Sequence, residues 1–220
     1  MKKKSKISRR AKTRPALTRE MISQVALQFI DKHGMDALSM RRLGKELKVE
    51  AMAIYYHFKN KGELLDAVLE RLVDEVILAP RNSMAPLDWL RDFARSHRQV
   101  ALSHPNAFIL VPTRRFNTES SFAMYEKILQ VFQDLGLNAE LSAKYFRTLG
   151  YFVSGAGLAD IAGRAQQPDA TPVRLETFSD PQYPLVSAVA PHLRADKLDE
   201  VFEFGLDLIF AAMKNDAELA

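Results

Sequence analysis

Apolar residues recur every three or four positions through long stretches of the chain, and no segment alternates apolar and polar residues over the length of a strand. Proline is absent between Leu17 and Ala79, while Pro168, Pro172, Pro181 and Pro184 crowd one later segment. Such breaker-free runs predict an all-α protein. Thr18, followed by Glu20, starts a first helix that buries Ile22, Val25, Ala26, Phe29 and Ile30 and stops at Gly34. Ser39 caps a short helix to Leu47 that turns Met40, Leu43 and Leu47 inward. Lys48, Val49 and Glu50 lead into another short helix over 51–58. A break at 59–62 precedes a long helix expected to reach about Ala79, with Leu65, Val68, Leu69, Leu72 and Val76 along one side.

Beyond Pro80 the pattern predicts longer helices at 87–104, 120–135, 139–163, 185–193 and 198–214. Pro105 and Pro112 bracket a short irregular piece, and 164–183 reads as an exposed loop. The chain therefore divides into an arm (1–16), a small helical unit (17–64) and a larger helical domain (65–220), the boundary falling inside the helix that starts near Lys61.

Charge sharpens that division. The net charge of +4 hides eight basic residues and no acid in 1–16, against a net −6 over 65–220. The arm is expected to attract phosphates without reading sequence, with minor-groove entry or a plain solubility tail as the other readings. Zero cysteines exclude disulfide frameworks, cysteine zinc sites, iron–sulfur clusters and thiol catalysis. The basic start is not followed by the apolar stretch of a signal peptide, and no window is long and apolar enough to span a bilayer, so a cytoplasmic protein with no membrane partner is expected.

Two short helices joined by a three-residue turn and braced by a third form a helix-turn-helix, whose second helix can enter a major groove. With Ile54 and Phe58 inward, that helix leaves Glu50, Ala51, Met52, Tyr55, Tyr56 and His57 outside. An exposed face with two tyrosines and a methionine is unfavourable in water unless it contacts something. Tyrosine hydroxyls bond phosphate, and Ala51 and Ala53 suit a thymine methyl. Ser39, Arg41 and Arg42 open the preceding helix, and the two arginines can reach guanine or phosphate; Lys48, Lys59 and Lys61 ring the motif and would position the DNA backbone.

Residues 38–68, LSMRRLGKELKVEAMAIYYHFKNKGELLDAV, resemble the DNA-binding signature of TetR-family transcriptional regulators. The resemblance implies that Arg41 reads guanine, that Tyr55, Tyr56 and His57 contact phosphates or thymine methyls, and that Lys61 holds a phosphate. LSHPNAFILVPTRRF (102–116), LGYFVSGAGLAD (149–160) and FGLDLIFAAM (204–213) are similar to the ligand-binding and dimerisation domain of the tetracycline-repressor branch of that family. That branch holds its drug as a magnesium chelate through a histidine and a glutamate. The alignment puts Leu110 and Ala159 at those two positions, and neither can coordinate a hard cation. The resemblance thus implies the architecture without the magnesium chelate, and no metal or cofactor is expected.

The larger domain should instead hold a small-molecule pocket. Phe93, Phe108, Leu110, Phe116, Tyr125 and Tyr151, with His97 and Ser154, are the candidate lining residues: polar groups set among aromatics suit an organic ligand, although aromatics at helical spacing are equally the makings of a core. His97 and His104 share a helix face near Asp92, but no third ligand or nucleophile accompanies them, which leaves catalysis or metal binding unsupported. Gly150, Gly155, Gly157 and Gly205 inside predicted helices suggest close helix approach, either within the chain or in a four-helix bundle between two copies.

The expected protein is a homodimeric, ligand-responsive regulator that binds double-stranded operator DNA. Its recognition helices would lie in successive major grooves of a palindrome, about 34 Å apart. A small apolar or aromatic effector would release repression. Two alternatives stand beside it: a helical enzyme or carrier for an apolar molecule, and a non-specific DNA-binding protein.

Overall fold

The computed structural model describes residues 16–80, 84–114, 118–164 and 177–219, and these form α-helices, short 3-10 turns and no strand. The basic arm up to residue 15, Phe116 and most of the predicted loop 164–183 lie outside the described residues. Four helices make the N-terminal part: α1 (Arg19–His33), α2 (Met40–Leu47), α3 (Ala51–His57) and α4 (Lys61–Asp74). Six follow: α5 (Pro86–Ser103), α6 (Leu110–Thr113), α7 (Glu119–Asp134), α8 (Ala139–Arg164), α9 (Pro184–Val189) and α10 (Leu198–Leu219). No described helix is long and apolar enough to cross a membrane.

The helix starts follow from short polar side chains. Thr18, Ser39, Asn60 and Thr118 each accept a bond from the backbone N–H three residues on, satisfying one of the amides that a helix N-terminus leaves open. Four elements depart from the sequence pattern, the first being α10, which runs five residues past its expected end at Lys214. α4 stops at Asp74 because α5 occupies the next backbone groups: Ser96 Oγ accepts from Ile77 N at 2.7 Å, and Trp89 Nε1 donates to Ala79 O at 2.9 Å. The predicted helix 185–193 is split, since Pro191 withdraws an N–H and the chain tightens into a 3-10 turn at Ala190–His192. The piece between the prolines closes one helical turn, α6, with Pro112 near its start where no donor is needed.

Two apolar cores result. The first joins Ile22, Leu27 and Ile30 of α1 to Leu43, Ile54 and Leu64, and continues along α4 through Val68 and Leu72 into Val100, Phe108, Leu110 and Val111. The second packs Trp89, Leu90 and Phe93 of α5 against Ile128 and Phe132 of α7, Leu149 and Val153 of α8, and Phe202, Leu206 and Phe210 of α10. Burial of each such side chain contributes about 1.5–3 kcal/mol. Two of the helical glycines serve this packing within the chain: a Cβ on Gly157 would stand 2.8 Å from the Ala101 methyl, and one on Gly205 would stand 2.4 Å from the Phe152 ring. Gly150 and Gly155 face open space. Arg98 locks α5 to α8 through Asp160 at 2.5 Å and lies 4.7 Å over the Phe202 ring of α10.

Candidate nucleic-acid interface and ligand cavity

α2 and α3 meet at the tight turn 48–50. Lys48 adopts the left-handed conformation (φ 56°, ψ 43°) that ends α2, and its N–H bonds back to Gly44 O and Lys45 O. Gly44 allows the turn to close, since a Cβ there would stand 2.9 Å from Val49 O. Ile54 and Phe58 are fully buried and pin α3 to α1 and α4. The opposite face is bare: Met52 is 77% exposed, Tyr55 46% and Tyr56 88%. Glu50, Arg41, Arg42 and Lys48 are exposed around it, and Ala51, Ala53 and His57 are half-buried. The structure brings these expected DNA contacts onto one surface.

Several of them also hold the motif together. Ser39 Oγ caps α2 by accepting from Arg42 N at 3.2 Å, and Arg42 Nη1 donates to Ala37 O at 3.2 Å. Lys61 Nζ donates to Leu38 O at 2.8 Å, tying the start of α4 to the start of α2. Arg19, which sequence reasoning did not single out, fastens the far end of α3: its guanidinium donates to His57 O and to Glu63 Oε1 (2.8 Å) and lies 4.2 Å over the Phe58 ring. Bonds from Lys59 N and Arg19 hold the Glu63 carboxyl below the usual range.

A cavity of about 920 Å³ opens between α5, α6, α7 and α8. Phe93 and His97 come from α5, Val111, Pro112 and Arg114 from α6 and its end, Met124, Tyr125 and Ile128 from α7, and Phe146, Arg147, Tyr151 and Ser154 from α8. Of the expected ligand residues, Phe93, His97, Tyr125, Tyr151 and Ser154 border this space. Leu110 and Phe108 do not. Leu110 is packed into the first core, and Phe108 is fully buried beside a smaller void that α4 helps to line. The reason is the turn of α6, which points Val111 and Pro112 at the cavity and Leu110 away from it. Arg114 and Arg147 are cavity residues that sequence reasoning missed. Arg147 was legible in principle, lying four residues before Tyr151 and seven before Ser154 on one helix face.

The cavity's polar groups are few and distinct. His97 is tilted against Phe93 (centroids 6.0 Å) and edge-on to Phe108 (5.6 Å). Its Nδ1 is buried without a hydrogen-bond partner among the described residues, and burial pushes its pKa down to about 4, so the ring is neutral at pH 7. Burial likewise raises the Tyr125 phenol to about 12. Arg114 reaches from the cavity rim to α4, donating from Nε to Asp66 Oδ1 at 2.7 Å and from Nη2 to Gly62 O at 2.9 Å. A second tie between the two halves sits at the end of α5, where His104 bonds Asp31 of α1 at 2.7 Å and Glu75 at 2.6 Å. Among the described residues, no three His, Asp or Glu side chains cluster as a metal site, Ala159 is exposed, and the neighbouring Asp160 is taken by Arg98.

Residues 22–68 match the model of the tetR family of bacterial regulatory proteins, and residues 87–216 match that of the tetracyclin repressor-like C-terminal domain. The chain belongs to the tetR family. The class A tetracycline repressor of Escherichia coli transposon 1721 is 32% identical to this tetR-family chain, covering 86% of each. The class G tetracycline repressor of Vibrio anguillarum is 29% identical, covering 90% of this chain and 94% of its own. Among solved structures, the Streptomyces coelicolor TetR family protein ActR in complex with actinorhodin superposes with a TM-score of 0.78 at 27% identity, covering 91% of this chain and 98% of that one. Like these relatives, the tetR-family chain is a ligand-responsive, DNA-binding transcriptional repressor.

Proposed function

We propose that the protein represses transcription as a homodimer on a palindromic operator and is released by a small, largely apolar or aromatic effector seated between α5, α6, α7 and α8. The observation that carries the reading is the bare face of α3. Two tyrosines and a methionine exposed on a helix pinned from its other side by the fully buried Ile54 and Phe58 are what a major-groove reader presents. Arg41 is exposed beside that face and, in this reading, takes a guanine edge, while Tyr55, Tyr56, Lys48 and Lys61 take phosphates.

A second exposed apolar surface supports the dimer. Val201, Phe204 and Leu208 of α10 are each more than half exposed, as is Tyr151 of the adjoining α8, where Gly155 leaves room for a close partner helix. Two copies joined there bury this surface in a four-helix bundle. The effector acts on DNA binding through α4. Arg114 at the cavity rim holds Gly62 and Asp66, and one turn of α4 also carries Glu63, which with Arg19 grips the end of α3. An effector that displaces α6 thereby favours one spacing of the recognition helices over another. The protein works on DNA in the cytoplasm, and the cavity is assigned no catalytic step.

Titration of the DNA upstream of its own gene at fixed salt tests this. Two chains should bind one palindromic site, and Arg41→Ala or Tyr55→Ala should each weaken binding by about 1–3 kcal/mol. Unchanged operator affinity in both variants rejects the geometry, and equal affinity for any duplex rejects sequence-selective binding.

A further inference from the structure

The effector cavity carries an asymmetry of charge. Among the described residues its lining includes two arginines and no aspartate or glutamate. Arg114 is neutralised, since Asp66 lies 2.6 Å from its Nη2. Arg147 is not: it is exposed at the rim and meets only the Tyr151 hydroxyl, at 3.3 Å, among the described residues. The planar fork of a guanidinium matches a carboxylate. Deeper in stands His97, packed between Phe93 and Phe108, with a ring nitrogen that nothing among the described residues satisfies. A neutral imidazole offers a donor and an acceptor but no charge, so this end suits a carbonyl or hydroxyl. Between the two ends the walls are apolar and aromatic, with Tyr125 set edge-on to Phe146 at 5.0 Å.

We infer that the effector is an aromatic acid, its carboxylate held at the rim by Arg147 and a ring carbonyl or hydroxyl turned inward to His97. This rests on the reading of the cavity as the effector site and adds the chemical class of the effector and its direction of entry. An acid also explains why an uncompensated arginine stands at the mouth of an otherwise apolar chamber, where a neutral hydrocarbon would gain nothing from it.

The full-length protein supplies its own probe. Trp89 is the single tryptophan and lies stacked on the cavity residue Phe93, ring centroids 6.3 Å apart and planes within 6°. Anthraquinone-2-carboxylate and its neutral amide, anthraquinone-2-carboxamide, both absorb and quench near such a ring, so titrating each against Trp89 fluorescence gives two affinities that differ only by the charge. The acid should bind at least tenfold more tightly than the amide. Arg147→Gln should abolish that preference by weakening the acid alone, whereas His97→Phe should weaken acid and amide together. Equal binding of the two probes by the native protein, or an unchanged preference in Arg147→Gln, overturns the acid while leaving an apolar-aromatic cavity in place. Absence of quenching by either probe overturns the aromatic cavity and the acid with it. The melting temperature of each variant separates lost contact from lost fold.

Discussion

The helix-turn-helix unit and the chamber between α5, α6, α7 and α8 are built by opposite means. The first is made of short-range devices: an N-cap three residues from its partner, a left-handed lysine, a glycine under a carbonyl, and a helix whose inner side is two buried residues. Its exposed face is what those devices leave over. The second is a space, bordered by four helices whose contributing residues lie between Phe93 and Ser154 in the chain. Nothing local defines it. A reading surface can therefore be carried by a contiguous motif, whereas a ligand chamber depends on how distant helices are spaced, and it can change its ligand by changing a few wall residues without disturbing the fold.

The two regions nevertheless share a core, because the first cluster runs along α4 into the base of the chamber. Phe58→Ala, at the heart of the reading unit, should cost about 3–5 kcal/mol in urea unfolding and still give a single transition seen alike by Trp89 fluorescence and by helical signal. Two separated transitions would break the claim of a shared core.

Two histidines sharpen the contrast further, since His97 in α5 lines the chamber, His104 just past its end joins α5 to α1, and they shift in opposite directions. Burial drives His97 in the chamber wall down to about 4. Its neutral form is the folded one, so its contribution to stability is complete above about pH 6.5 and is lost as the pH falls toward 4, by up to about 3 kcal/mol. His104, at the joint, is raised: burial opposes its charge, but the Asp31 and Glu75 carboxylates outweigh burial. Its contribution is complete below the unfolded value of about 6.5 and disappears as the pH rises through the raised one. Thermal unfolding followed from pH 4 to 8 should show both limbs. His97→Phe should flatten the acid limb and His104→Gln the alkaline one; a profile insensitive to either change would refute the assignment.

The smallest expected effect is the most specific to the joint. Arg114→Ala should leave operator affinity in the absence of effector within a few-fold of native while removing most of the coupling between effector and operator, about 1–3 kcal/mol. An operator titration with and without anthraquinone-2-carboxylate measures it, and full release in the variant would place the coupling elsewhere.

Sequence legibility follows the same divide. Thr18, Ser39 and Gly34 marked helix ends that the structure reproduces, because a cap is a contact between near neighbours. The end of α4 was missed because Ser96 and Trp89, far along the chain, hold the backbone there. Within the chamber, Phe93, His97, Tyr125, Tyr151 and Ser154 were legible as polar groups among aromatics on helix faces. Leu110 was placed by alignment at a ligand position, yet the single turn of α6 rotates it into the core, and a phase of one residue in one turn is invisible to spacing alone. Arg114 and Arg147 were overlooked because an arginine on a helix surface reads as solvated until the opposing walls are known.

The shape of α4 has a mechanical consequence. Its 14 residues make a rod about 21 Å long, fixed to the chamber floor along one stretch and to the end of the reading helix at the other. A rotation of only about 5° about its distal end carries the proximal end through about 2 Å, on the order of half the rise between adjacent base pairs. An arc of that size is no more than the breadth of an atom, so a small displacement at the chamber end of the rod is enough to be felt where α4 meets the end of α3.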